Sequence, residues 1–353
     1  MPVAGGGAAA LADDEALVVF TSGTTGRPKG ALLTTRSIAG AIGSIADGVA
    51  MREGRLPATP PRSPSTTFLP LFHIGGLLGT ITAMYLGKPT LIVDRWDVDE
   101  LFDLVDRFGL TMLRLAPPML HDLATAPGER GLGPVKVISV GSASLSEGLR
   151  RRIEERYGVV VLNNYGQTEL SGAIAFERYD DVKAGRRPPG TVGRVAPGVE
   201  IRVVDGDGND VAPGSPGELW ARTAGALEAY VVDGAIVDPR RDGWVATGDI
   251  GRVDDDGFVH LLGRARDVVV CGGFNVYPAV IEAALGRVAG VVDAAVVGAD
   301  DERLGEVPVA VVTVEPGSGV GAEQVQAALR EELAPYEIPR RLAVVDAVPR
   351  NEL

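Results

Sequence analysis

The chain has 353 residues, 45% hydrophobic, 23% charged and 5% aromatic, enough for two or three compact units with buried cores. A net charge of -13 repels nucleic acid, and the arginine pairs at 151–152 and 240–241 stand alone rather than in a basic stripe, so a nucleic-acid partner is not expected. The single cysteine, Cys271, rules out an intramolecular disulfide and a cysteine-rich metal site and fits a reducing compartment, with the cytoplasm as the expected location.

The opening stretch, MPVAGGGAAALADDEA, has no basic region ahead of an apolar one and does not read as a secretory signal. Residues 16–20 then read as a buried strand entering TSGTTGRPKG at 21–30, and residues 31–33 continue the chain beyond it. This loop suits a triphosphate. Gly23 and Gly26 let consecutive amides converge on anionic oxygens, Thr21, Ser22, Thr24 and Thr25 add donors, and Lys29 supplies a charge. It is not a Walker loop, because only Arg27 and Pro28 separate Gly26 from Lys29. The plain alternative is a solvated hairpin turn rich in small polar residues.

Residues 51–67, with four prolines, read as a surface loop. PLFHIGG follows and contains His73, which in isolation is a structural residue. The apolar run at 74–93 is interrupted by glycines, Lys88 and Pro89, so it predicts a buried helix and a strand rather than a membrane span. Strands at 91–93, 112–115 and 135–140 alternate with helices at 98–108 and 146–157, the pattern of a layered α/β domain. The strand at 159–162 places NNYGQTE, residues 163–169, at its carboxyl end, where open α/β sheets bind ligands. Tyr165 can stack on a base, Thr168 can bond a phosphate, and Glu169 is an oxygen ligand of the type Mg²⁺ takes beside substrate phosphates. A capping Thr and Glu explain the stretch equally well by itself.

From Gly190 the texture changes to short strands and turns, including VEIRVVD, GDGND and GELWAR. Asp205, Asp207 and Asn209 alternate as in a calcium loop, but Asp210 and Pro216 stand where glycine and a bidentate Glu are required, so a hairpin tip is expected. Beyond 263–267, segments 276–285, 291–297, 307–314 and 322–333 suggest a compact α+β unit. His121 and His260 read as surface or helix-face residues, and without a GxSxG elbow a serine hydrolase triad has no support.

Six stretches together, TSGTTGRPKG, VGSASL, NNYGQTE, WVATGD, GRARD and CGGFNVYPAVIE, resemble the motifs of the adenylate-forming superfamily, which includes acyl-CoA synthetases, luciferases and peptide-synthetase adenylation domains. The resemblance covers residues 16–353. It implies a layered α/β nucleotide-binding domain at 1–189, a β-rich subdomain at 190–263, and a small mobile α+β domain at 264–353. The implied activity is ATP- and Mg²⁺-dependent activation of a fatty or aromatic acid as an acyl-adenylate, followed by transfer to CoA. By the same resemblance, Thr21, Ser22, Gly23, Thr24, Thr25, Gly26 and Lys29 hold phosphate, and Thr21 and Glu169 hold the metal. Lys29, His73, Thr168 and Glu169 are the implied catalytic residues, with His73 lining the acyl pocket. Gly141, Ser142 and Ala143 lie against adenine, Ser142 replacing the family's second glycine, and Asn164, Tyr165, Gly166, Gln167 and Thr168 complete the nucleotide contacts. Asp249 binds the ribose hydroxyls, Arg264 the ribose or α-phosphate, and Arg266 sits at the pivot of the mobile domain. Gly272 and Gly273 pack against pantetheine, which favours CoA over a carrier protein as acceptor.

The sequence departs from the pattern at both ends. VPRNEL resembles the start of a closing motif that continues with Gly-Lys, and as a complete chain the protein is expected to be weak in adenylation; as a trimmed one it is not. Only about twenty residues precede the loop, where the family carries another α/β subdomain of ordinary domain size. Part of the acyl pocket and of a homodimer surface is therefore expected to be missing. Two rival readings follow: a degenerate nucleotide- or acyl-CoA-binding protein, and an adenylating enzyme that loads a carrier protein.

Overall fold

The computed structural model describes residues 14–21, 28–48, 63–315 and 317–348. Strand β1 (Glu15–Thr21) pairs antiparallel with β2 (Lys29–Thr34), bringing Thr21 opposite Lys29. The expectation of a fully buried β1 needs correction: Val19 is buried, whereas Phe20 is 68% exposed. It is an edge strand with one face on the core and one in water, so its apolar residues divide between the two. Helix α1 (Thr35–Gly48) starts at once, because Thr34 and Ser37 cap it reciprocally, each backbone N–H donating to the other's hydroxyl at 2.9–3.0 Å.

Part of the expected surface loop at 51–67 is strand: β3 (Ser65–Thr67) pairs in parallel with β4 (Thr90–Ile92), with α2 (Ile74–Tyr85) between them. Then come α3 (Val98–Phe108), β5 (Met112–Leu115), α4 (Pro117–Thr125), β6 (Val137–Val140), α5 (Glu147–Tyr157) and β7 (Val160–Gln167). Local chemistry sets these boundaries. Asp97 and Ser146 accept from the backbone N–H three residues on, and Gly109 and Gly158 end their helices in the left-handed conformation. The parallel strands β5, β6 and β7 and their helices enclose an apolar core that includes Leu101, Leu113, Ile138, Ile153 and Val161.

The sheet does not stop at β7. With β8 (Gly172–Phe176), β9 (Thr191–Val195), β10 (Val199–Val204), β11 (Gly217–Thr223), β14 (Val245–Val253) and β15 (Phe258–Arg264) it forms nine strands in the order β10-β11-β14-β15-β9-β8-β7-β6-β5. Helix α6 (Tyr179–Lys183) links β8 to β9. The intervening β12 (Ala229–Val232) and β13 (Ala235–Val237) leave that sheet and extend the β1–β2 hairpin, β12 pairing with β2. A second apolar cluster, including Val19, Leu33, Tyr165, Leu219 and Leu227, lies between the two sheets.

One ion pair pins the point where the sheet changes from parallel to antiparallel. Glu177 accepts from Arg150 Nη1 on α5 at 2.8 Å and from the backbone N–H of Asn163 on β7 at 2.8 Å, with both side chains at most 2% exposed. Burial pushes the Glu177 carboxyl up, against the pull of Arg150.

The last segments, β16 (Val269–Cys271), β17 (Phe274–Val276), α7 (Pro278–Leu285), β18 (Val291–Asp301), β19 (Gly305–Val314), α8 (Ala322–Glu332) and β20 (Arg341–Val344), form a five-stranded sheet with two helices. Their core, including Ile281, Leu285, Val312, Val325 and Leu329, shares no member with the other two. Among the described residues no helix is long and apolar enough to cross a membrane.

Candidate active site

The expectation that NNYGQTE lies beyond a strand needs revision, since β7 runs on through Gln167. Its pairing passes from β6 (Val140 opposite Asn163) to β8 (Asn164 opposite Phe176), with an irregularity between Tyr165 and Gly166. At that bulge the backbones approach so closely that a Cβ on Gly166 would lie 1.8 Å from the Gly172 carbonyl oxygen. Thr168 and Glu169 follow in a single 3₁₀ turn, both half-buried.

Pairing of β14 with β15 sets Asp249 opposite Arg264, and the bend of β7 brings Tyr165 and Gln167 to the same carboxylate. Asp249 Oδ2 accepts from Tyr165 Oη and from Gln167 Nε2, each at 2.6 Å, and Oδ1 lies 2.9 Å from Arg264 Nη1. Gln167 also donates to the Thr247 carbonyl at 2.8 Å. Burial pushes the Asp249 carboxyl up in spite of these partners, and burial together with the Asp249 charge pushes the Tyr165 phenol well up. The proton therefore stays on the phenol. Tyr165 is only 7% exposed and packs within the second apolar cluster, so most of its ring faces core residues.

A second group forms where β2, β12 and the 3₁₀ turn meet. Tyr230 donates its hydroxyl to Glu169 Oε1 at 2.7 Å, and Lys29 Nζ lies 5.5 Å from the centroid of the Tyr230 ring. Tyr230 is absent from the sequence-based site, and no local signal marks it: AYVVDG reads as an ordinary strand and turn. Thr21 Oγ1 donates to the Lys29 carbonyl across the hairpin at 3.4 Å. Ser22, Gly23, Thr24, Thr25 and Gly26 lie outside the described residues.

The turn after β6 closes against Asn164, whose Nδ2 donates to the Val140 carbonyl at 2.6 Å. A Cβ on Gly141 would meet Asn164 Oδ1 at 2.4 Å, which explains the glycine by space alone. Ser142, at φ 72°, is in the left-handed region, and Ala143 beside it is exposed. The Ser142 hydroxyl would lie 3.3 Å from a Cβ on Gly75, so this turn adjoins the start of α2, which exposed His73 precedes as its N-cap.

Other predicted residues stand elsewhere. Gly272 and Gly273 form the two-residue turn between β16 and β17, and their φ values of 60° and 87° suit a type I′ hairpin that favours glycine at both places. Arg266 is exposed beside Asp267, 3.5 Å away. Of the histidines, His121 is exposed, but His260 corrects its assignment to the surface: it is 7% exposed on β15, with Nε2 3.0 Å from Asp254 Oδ2. Among the described residues, no three His, Cys, Asp or Glu side chains gather to hold a metal.

Known proteins resemble this chain in sequence and fold. Over 342 residues the chain is 36% identical to the indoleacetate–CoA ligase of Aromatoleum aromaticum, covering 96% of this chain and 64% of that protein. ATP-bound MatB from Rhodopseudomonas palustris superposes with a TM-score of 0.82 at 33% identity, over 96% of this chain and 66% of that one. The o-succinylbenzoate–coenzyme A synthetase MenE from Bacillus subtilis, in complex with ATP and magnesium ion, gives 0.76 at 28% identity, over 95% and 67%. The chain thus spans less than two-thirds of the length of the indoleacetate ligase. The AMP-binding enzyme profile matches residues 7–231 and the profile of that family's C-terminal domain matches residues 280–353. With more than half of its residues matched, the chain belongs to the AMP-binding enzyme family.

Proposed function

We propose that the protein takes part in ATP-dependent joining of a carboxylic acid to CoA through an acyl-adenylate. A carboxylate cannot expel oxide, so it must first attack the α-phosphorus of ATP and release pyrophosphate; the CoA thiol then displaces AMP. The reaction needs charge stabilisation more than covalent help from the protein. The observation that carries this reading is the meeting of Lys29, at the end of the phosphate loop, and Glu169 at one tyrosine, although 140 residues separate them in the chain.

Magnesium fits the donor set. A single carboxylate with one engaged oxygen, and no cage of three ligands among the described residues, suits an ion that takes one protein oxygen and completes its shell with phosphates and water. Glu169 would hold it, and when bound it neutralises charge on the phosphates. On this reading Lys29 meets the departing pyrophosphate, Thr168 a phosphate oxygen, Asp249 the ribose hydroxyls, and Arg264 the ribose or α-phosphate. Tyr165 and Gln167 hold Asp249 in place, and the 141–143 turn and His73 face the adenine and acyl ends. Gly272 and Gly273 are assigned to pantetheine on the family resemblance, as is a homodimer. A reducing, cytoplasmic setting is proposed from the single cysteine, which has no partner for an intramolecular disulfide. A fatty or aromatic acid is the proposed substrate class, supported by the likeness to a ligase named for indoleacetate.

The test is carboxylate-dependent release of pyrophosphate, then CoA-dependent release of AMP, across a panel of acids. Lys29→Ala is expected to lower the first step by about 10²-fold. Absence of release with every acid, in a chain continued through the closing Gly-Lys, would sink the proposal. Transfer to a holo-carrier protein with none to free CoA would replace the acceptor.

A further inference from the structure

Tyr230 lies between the two charged groups to which the proposed chemistry assigns phosphate and metal. Its position is fixed from several sides. It sits opposite Ala31 of β2, with Ala229 opposite Leu32 and Val231 opposite Gly30. Just upstream, the Leu227 N–H donates to the Glu169 carbonyl and the Glu228 N–H to the Leu32 carbonyl, each at 2.8 Å. The segment is therefore tied on consecutive residues both to the turn that carries Glu169 and to the strand that carries Lys29. Lys29 and Ala31 point to the same face of β2, since side chains alternate along a strand. The ring opposite Ala31 thus reaches the ammonium two residues away.

A direct Lys29–Glu169 ion pair would neutralise the carboxylate and engage the ammonium. Among the described residues no such pair forms, and a neutral phenol occupies the intervening position. Its hydroxyl takes up Oε1, and its ring supports Lys29 without carrying a countercharge. Both residues keep their charge for a ligand.

We infer that Tyr230 is a positioning residue of the proposed ligase site: it orients the Glu169 carboxylate so that Oε2 is presented to a phosphate-bound divalent cation, and it holds Lys29 apart from that carboxylate. This rests on the function proposed above, and the experiment separates the two. ATP binding is measured by calorimetry with Mg²⁺ and with chelator, beside the Mg²⁺ dependence of pyrophosphate release. Tyr230→Phe keeps the ring and loses only the hydroxyl. It is expected to weaken ATP binding in Mg²⁺ by about three- to tenfold, to raise the half-saturating Mg²⁺ concentration similarly, and to leave binding in chelator unchanged. Tyr230→Leu also removes the ring beneath Lys29 and should weaken ATP binding in chelator as well. Glu169→Gln serves as the reference, and adding Tyr230→Phe to it should produce no further loss of Mg²⁺ dependence. Wild-type Mg²⁺ dependence in Tyr230→Phe, whether or not its melting temperature falls, overturns the inference and leaves Tyr230 a packing residue. A wild-type protein that binds no ATP in either condition overturns the function itself, and the role of Tyr230 with it.

Discussion

Asp249 shows at a single residue how a binding group is held at a cost to stability. It is 6% exposed and receives hydrogen bonds from Tyr165 and Gln167 and the charge of Arg264, yet burial still pushes its carboxyl above the ordinary value. A carboxyl raised in the folded state adds stability only where it is protonated. That contribution is complete below the unfolded value, at about pH 4, and is lost as pH rises through the folded one. At neutral pH the ionised side chain is therefore a burden. Asp249→Asn keeps an acceptor for Tyr165, and half-exposed Arg264 can turn to solvent. The variant is expected to resist urea better than the wild type at pH 7, with the difference closing below about pH 4, while its affinity for ATP falls. A variant less stable than wild type at pH 7 would show that the hydrogen bonds outweigh the burial. Perturbed groups of this kind gather at functional sites, and relieving them trades activity for stability.

Among the elements, β7 decides where the site lies. The sequence marks its apolar start at Val160 and Val161, but the continuation through Asn163, Asn164 and Gly166 has no strand pattern, and its extended form comes from pairing with β8. The Arg150–Glu177 pair sits at that transition, out of water. Because Glu177 also accepts from Asn163, Glu177→Ala removes the nearer of buried Arg150's two carboxylate partners and orphans a backbone N–H; a loss of about 3–5 kcal/mol is expected in chemical denaturation. A loss under 1 kcal/mol would mean that water or Glu147, 3.6 Å from Arg150, takes over. Other elements were readable because their boundary chemistry is local. The helix at 98–108 follows from Asp97 and Gly109 at its ends.

At the scale of the molecule, the three largest apolar cores among the described residues share no buried residue, and the last is confined to the region from Val269 onward. The short bridge through Ala265–Asp267 has no buried residue. Calorimetry is therefore expected to resolve two transitions. Leu329→Ala, which empties a fully enclosed position in the last core, should lower one of them by about 2–5 kcal/mol and leave the ATP-stabilised one in place. A single transition that moves as a whole would show that the units unfold together.

By itself the sequence marked the layered α/β pattern, because caps and hydrophobic periods express interactions closed within a few residues, while the adenylate-forming fold and the candidate roles of Lys29, Glu169, Asp249 and Arg264 came from the resemblance of its motifs to a family. Only the tertiary structure decided that Tyr165 would reach Asp249 across 84 residues and that Tyr230 would stand between Glu169, 61 residues before it, and Lys29. Such contacts depend on strand pairings distant in the chain, which no local residue pattern specifies.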